Sequence, residues 1–77
     1  MNQQTISHLV SEVLKEENIQ FGSVFDIDHV INKAGVWGVL VSDAQGFFAL
    51  SLNIQTHNTE ASLKDEIRRQ VLGNRPR

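Results

Sequence analysis

The chain of 77 residues contains no cysteine and no tyrosine, and it has one tryptophan and one proline. The absence of thiols excludes disulfides, cysteine-ligated zinc, iron–sulfur clusters and thiol catalysis. A domain of this length buries only about 60–65% of its unfolded surface, so it usually needs an additional source of stability. With disulfides excluded, we expect oligomerisation to provide it.

Long apolar runs are also missing, since no stretch approaches the roughly 18 apolar residues that a membrane span requires. The first residues include no basic cluster, and Ser, His and Glu interrupt the apolar positions, unlike a targeting signal. Together with the thiol-free composition, these features predict a cytoplasmic protein without a membrane partner.

The net charge of −2 is unevenly distributed along the chain. Up to Glu60 there are two lysines against seven acidic residues, whereas the remainder has five basic residues against two acidic ones. The basic residues of this C-terminal part are Lys64, Arg68, Arg69, Arg75 and Arg77. A local basic surface of this kind can bind nucleic-acid phosphates, although bases near a helix C-terminus also stabilise the helix dipole.

Apolar residues recur at helical spacing near the N-terminus, and they are Ile6, Leu9, Val10, Val13 and Leu14. This pattern predicts a helix from about residue 5 to 18, with Thr5 as its N-cap. A second pattern predicts a helix that begins between residues 58 and 62. Its proposed capping box runs from Ser62 to Asp65, Gly73 ends it, and residues 74–77 form a short polar, basic tail.

A further helix is predicted between these two. Asp26 can cap it, Gly35 can end it, and the apolar residues Ile27, Val30, Ile31 and Ala34 repeat at helical spacing.

The most apolar passage, VWGVLVSDAQGFFALSLNI at residues 36–54, predicts a β-hairpin with strands at 36–42 and 47–54. Asp43 to Gly46 connect them, and Gly46 supplies the positive φ of the turn. Alternation assigns one face to the core, with Trp37, Val39, Val41, Phe48, Leu50, Leu52 and Ile54. The other face carries the small or apolar residues Val36, Gly38, Leu40, Phe47, Ala49 and Ser51.

The predicted fold class is α+β, a small two-layer domain over residues 1–77 in the order helix, helix, strand, strand, helix. The antiparallel hairpin packs on the helices, and a second subunit completes the sheet or covers its far face. The alternative is a monomer in which the second helix covers that face.

Catalytic signals are weak. Asp26, Asp28 and His29 could contribute metal ligands, but acidic residues are also typical of a first helical turn. The sequence has no HExxH, no GxSxG and no glycine-rich phosphate loop. We therefore predict no catalytic residues, no metal and no cofactor, and an enzyme with a site around these three residues is the third hypothesis.

The favoured interpretation is a small non-catalytic binding or regulatory protein that acts through protein–protein contacts as a homodimer. Val36, Leu40 and Phe47 are the candidate interface residues. The alternative is a nucleic-acid-associated regulator that uses Lys64, Arg68, Arg69, Arg75 and Arg77.

The segment GVLVSDAQG resembles the first hairpin of the roadblock and longin-type dimerisation folds, a resemblance that covers part of the chain and transfers no site residue.

Overall fold

The computed structural model describes residues 2–21, 24–43 and 46–74. Its elements follow in the order α1 (Gln3–Phe21), β1 (Asp26–Lys33), β2 (Val36–Asp43), β3 (Gly46–Asn53) and α2 (Glu60–Asn74). The three strands form one antiparallel sheet in the order β1-β2-β3. The α+β class is confirmed. Neither described helix combines the length and apolarity needed to cross a bilayer.

The predicted middle helix is wrong, because residues 26–33 form the edge strand β1. The pairing of β1 with β2 shifts register between Ile27 and His29, which is a β-bulge. As a result Ile27 and Val30 face the same side of the sheet although they are three residues apart, while Ile31 faces the other side. Apolar residues at these three positions imitate helical spacing, and that explains the error.

A two-residue turn joins β1 to β2. Ala34 has a φ of 54° and Gly35 has a φ of 80°. Positive φ at both central residues is typical of a type I′ turn, whose twist matches that of the flanking strands. Gly35 therefore belongs to the turn of a β-hairpin and does not end a helix.

Helix α2 begins at Glu60, within the predicted range, but the N-caps of both helices differ from prediction. The N-cap of α1 is Asn2, whose side-chain Oδ1 accepts a hydrogen bond of 2.9 Å from the Thr5 N–H. The N-cap of α2 is Thr59, whose hydroxyl oxygen accepts from the Ser62 N–H at 3.1 Å. In both cases an N-capping residue lies three positions before the predicted cap. At its other end α2 continues through Gly73 to Asn74.

The hydrophobic core lies between one face of the sheet and the two helices. The helical stripes are confirmed, and the buried residues are Ile6, Leu9, Val10, Val13, Leu14, Leu63, Ile67 and Val71. From the sheet, the buried residues are Trp37, Val39, Val41, Leu50 and Leu52, with Phe48 and Ile54 half-buried beside them. Helix α1 packs on β1, α2 packs on β3, and the helices contact each other. Both helices therefore occupy the same side of the sheet.

Candidate functional site

The sheet has an open face, which we define as the side turned away from the core. The strand register places on it an apolar centre with polar or charged residues at both ends, and the residues are Asp26, His29, Ile31, Lys33, Val36, Gly38, Leu40, Ser42, Phe47, Ala49, Ser51 and Asn53. Both described helices pack on the core side of the sheet, so neither covers this face. Its side chains are half-buried or exposed, and the exposed fraction reaches 54% for Ile31 and 75% for Phe47. Contiguous apolar surface of this kind is typical of interaction sites.

The centre of the open face is a shallow apolar depression of about 260 Å³. Its lining residues are His29, Ile31, Gly38, Val39, Leu40 and Ala49. A Cβ atom built on Gly38 would have only the Ile31 carbonyl oxygen within 4 Å, at 4.0 Å. Residue 38, which lines the depression, therefore has room for a side chain, and no positive φ requires glycine there.

The three predicted interface residues all lie on the open face. Leu40 lies near the centre of the face. Phe47 on β3 is its diagonal neighbour, and Val36 is the first residue of β2. Their role as an interface stays a prediction. Sequence reasoning missed Ile31 and His29, which β1 adds to this face. The Ala34–Gly35 pair directly before the apolar strand β2 was the signal that could have revealed the first hairpin.

Opposite charges mark the two ends of the open face. Lys33 pairs with Val36 at one end of the β1–β2 ladder, and Asp26 pairs with Ser42 at the other. Both side chains are exposed. Neither makes an ion pair with another described residue.

The outer edge of β3 is closed by a side chain from α2. The Ser51 N–H donates to Gln70 Oε1 at 3.0 Å, and Gln70 Nε2 donates to the Ser51 carbonyl at 2.8 Å. One amide thus satisfies both outward-facing backbone groups of Ser51, as a neighbouring strand would. At the other edge of the sheet, the bulge in β1 interrupts a regular ladder. Both devices disfavour pairing with a strand from another chain.

The basic residues of α2 are engaged by carboxylates. Lys64 Nζ lies 3.1 Å from Glu12 Oε2 and 3.5 Å from Glu16 Oε1. Arg68 pairs with Glu16 Oε2 at 2.9 Å and with Asp65 Oδ1 at 3.0 Å. Arg69 binds Glu66 through two guanidinium nitrogens.

This pairing affects the nucleic-acid hypothesis. Arg75 and Arg77 lie outside the described residues. Because acidic partners already compensate Lys64, Arg68 and Arg69, the positive potential available to a phosphate is reduced. The hypothesis stays a prediction.

The ion pairs stabilise the charged forms of their members. The hydrogen bond from Lys64 lowers the pKa of Glu12, and the hydrogen bond from Arg68 lowers the pKa of Glu16. Hydrogen bonds from Arg69, assisted by Gln70, lower the pKa of Glu66 to about 2. These carboxylates are therefore weaker bases than an ordinary glutamate, which makes them poorly matched to general-base catalysis at neutral pH.

A serine, a histidine and a glutamate lie together at the start of α2. His57 Nδ1 is 3.1 Å from Ser62 Oγ, and His57 Nε2 is 3.9 Å from Glu66 Oε1. The second distance is too long for a hydrogen bond, and both Glu66 oxygens bind Arg69. A catalytic triad requires the carboxylate to orient the histidine, which this geometry does not provide. The cluster instead links the β3–α2 loop to α2.

Asp26, Asp28 and His29 all belong to β1, where Asp28 occupies the bulge. Across residues 2–21, 24–43 and 46–74, no three His, Asp or Glu residues are grouped so that they could hold a metal ion. The enzyme hypothesis stays a prediction without geometric support.

No protein-family model, curated protein or solved structure gives a significant match to this chain. The resemblance of GVLVSDAQG to the roadblock and longin-type hairpin therefore stays a prediction, and the functional argument depends on the open face.

Proposed function

We propose that this protein is a small non-catalytic binding or regulatory module of the cytoplasm that works through protein–protein contacts on its open face, as a homodimer. The observation that carries the proposal is the exposed apolar surface around Leu40, opposite a complete core on the other face of the same sheet. Removing such surface from water stabilises a complex by about 25 cal/mol per Å² before the costs of association are subtracted.

The state of the two sheet edges supports association through the face. Gln70 occupies the backbone groups that β3 would offer to an added strand, and the bulge at Asp28 distorts the other edge. The sequence predicted two forms of assembly, in which a second subunit either extends the sheet or covers its far face. These contacts at the sheet edges agree better with covering of the far face.

Sedimentation velocity over a concentration series tests this proposal. Three strands of eight residues make a face of roughly 14 by 26 Å, or about 730 Å² for two faces together, which is below the roughly 1,000 Å² of a stable interface, so we expect a weak dimer with dissociation constants in the micromolar range. The series therefore extends from about 1 to 200 μM, and we expect the sedimentation coefficient to rise with concentration.

The matched variants are Leu40→Glu and Leu72→Glu. The first places a charge on the open face and should give a folded monomer at every concentration, because the charge would have to be desolvated on association. The second makes the same change at a half-buried position of α2, away from the open face, and should leave the association constant unchanged. A wild-type chain that sediments as a monomer throughout would overturn the proposal.

A further inference from the structure

The open face is self-complementary in both shape and charge. Its rows of residues are arranged about the central row Val30–Val39–Leu50, whose side chains point to the core. On one side of this row lies Ile31–Gly38–Ser51, and on the other lies His29–Leu40–Ala49. Gly38, which has no side chain, and Leu40, one of the bulkiest residues of the face, thus lie at equal distances on opposite sides of the central row.

We infer that two copies pack their open faces together about a two-fold axis that crosses the strands at the level of Val39. This arrangement rests on the proposed function and specifies its partner and geometry. Each strand then lies antiparallel over the same strand of the other copy. The product is a six-stranded sandwich, a common form of face-to-face sheet packing.

The shape argument concerns Leu40 and Gly38. The two-fold operation places Leu40 of each copy over Gly38 of the other, so that each leucine enters the depression of about 260 Å³. Ile31 meets His29 of the second copy at the rim of the depression. Filling both depressions in this way gives the close packing that stable interfaces share with protein interiors.

The charge argument concerns Lys33 and Asp26. The same operation places Lys33 of one copy opposite Asp26 of the other, twice per dimer, and neither residue has an ion-pair partner among the described residues of its own chain. At the third strand, Phe47 of one copy lies over Asn53 of the other. Complementary charges at the rim fix the register of an interface more than they add affinity.

The competing two-fold axis runs parallel to the strands, and it gives poorer contacts. It places β1 over β3, so that Asp26 meets the exposed aromatic ring of Phe47. It also sets Leu40 against Leu40 and Gly38 against Gly38, which leaves a void beside an overpacked contact. Packing of this quality is unfavourable at an interface core.

Charge reversal distinguishes these arrangements. Lys33→Glu and Asp26→Lys each replace two attractions by two repulsions, so each variant alone should dimerise about tenfold more weakly than wild type in low salt. An equimolar mixture of the two variants should form a heterodimer with wild-type affinity, since all four charges are then matched. The double variant should recover the homodimer. Both positions are exposed, and circular dichroism checks that each variant is folded.

A second variant tests the shape argument. Gly38→Leu fills the depression within its own chain, and Gly38 has room for a side chain in the monomer. At low concentration, where the protein is a monomer, we expect an unchanged or higher melting temperature. At about 200 μM, the top of the sedimentation series, we expect the wild type to dimerise and the variant to remain a monomer.

The outcomes separate the two proposals. A wild-type dimer that neither charge reversal nor Gly38→Leu weakens would overturn this arrangement while leaving the proposed function intact. A wild-type monomer at all concentrations would overturn both.

Discussion

Glu17 is the one charged residue of the described chain that is buried, with an exposed fraction of 3%. Its Oε2 atom has no hydrogen-bond partner among the described residues. A carboxylate in this position loses hydration without full compensation. We expect Glu17→Met, which keeps the volume and removes the charge, to raise the free energy of unfolding by about 1–3 kcal/mol.

The measurement is thermal unfolding at pH 7, followed by the fluorescence of the single tryptophan, Trp37, which lies in the core. Glu16→Met is the matched control, because Glu16 is the neighbouring glutamate but is exposed and paired with Arg68. It should lower the melting temperature slightly. Any loss of stability in Glu17→Met would contradict the prediction and would mean that the Glu17 carboxylate stabilises the fold.

Glu66 makes stability depend on pH in the acidic range. Its pKa is about 2 in the folded protein and 4.5 in the unfolded reference. A group whose pKa is lower when folded contributes stability above its unfolded pKa, and this contribution is lost as the pH falls from about 4.5 towards 2. We expect a loss on the order of 1–2 kcal/mol, since exposed Arg69 is screened by solvent.

Urea titrations at several pH values between 2 and 7 measure this loss. Glu66→Gln keeps the shape and the contact with Gln70 but cannot ionise, so its stability should depend less steeply on pH in this window. Parallel curves for wild type and variant would mean that the Glu66–Arg69 pair contributes nothing measurable.

At the level of the elements, periodicity identified both helices and the β2–β3 hairpin, but not β1. The stripes of α1 and α2 each face a single core, so their 3.6-residue period is uninterrupted. Strand β1 has one half-buried face and a bulge at Asp28, so its period of two is broken after Ile27. Whether a strand contains a bulge depends on its partner strand, and local sequence does not reveal that.

The same reasoning applies to the candidate site. Val36, Leu40 and Phe47 could be predicted because β2 and β3 alternate regularly. Ile31 and His29 were missed, because they reach the open face only through the pairing of β1 with β2, and the turn signal at Ala34–Gly35 was read as the end of a helix. The ion pairs between α1 and α2 were also hidden, since Glu16 and Arg68 are 52 residues apart.

Gln70 links helix α2 to the edge of the sheet, and its removal should expose that edge. We expect Gln70→Ala to lower the free energy of unfolding by about 1 kcal/mol, because the Ser51 N–H and carbonyl exchange an amide partner for water. We also expect turbidity or thioflavin fluorescence to increase on prolonged incubation, because an unprotected edge can pair with other chains. Gln4→Ala, at an exposed position of α1, serves as the control and should change neither quantity.

For the molecule as a whole, folding and association should be linked. A partner that binds only the folded state raises apparent stability by mass action, so the melting temperature of a homodimer depends on protein concentration. For a chain of this size we expect an increase of about 5 °C between roughly 1 and 100 μM. Leu40→Glu should melt at one temperature throughout, and a wild-type midpoint independent of concentration would contradict the link.

The contact between Gln70 and Ser51 also has a consequence for the order of events during biosynthesis. The amide that protects β3 is 19 residues further along the chain, in the last helix. The hairpin can therefore be complete while its outer edge is still bare, until α2 has been translated and docked. A nascent or truncated chain without α2 is therefore the species most exposed to intermolecular strand pairing.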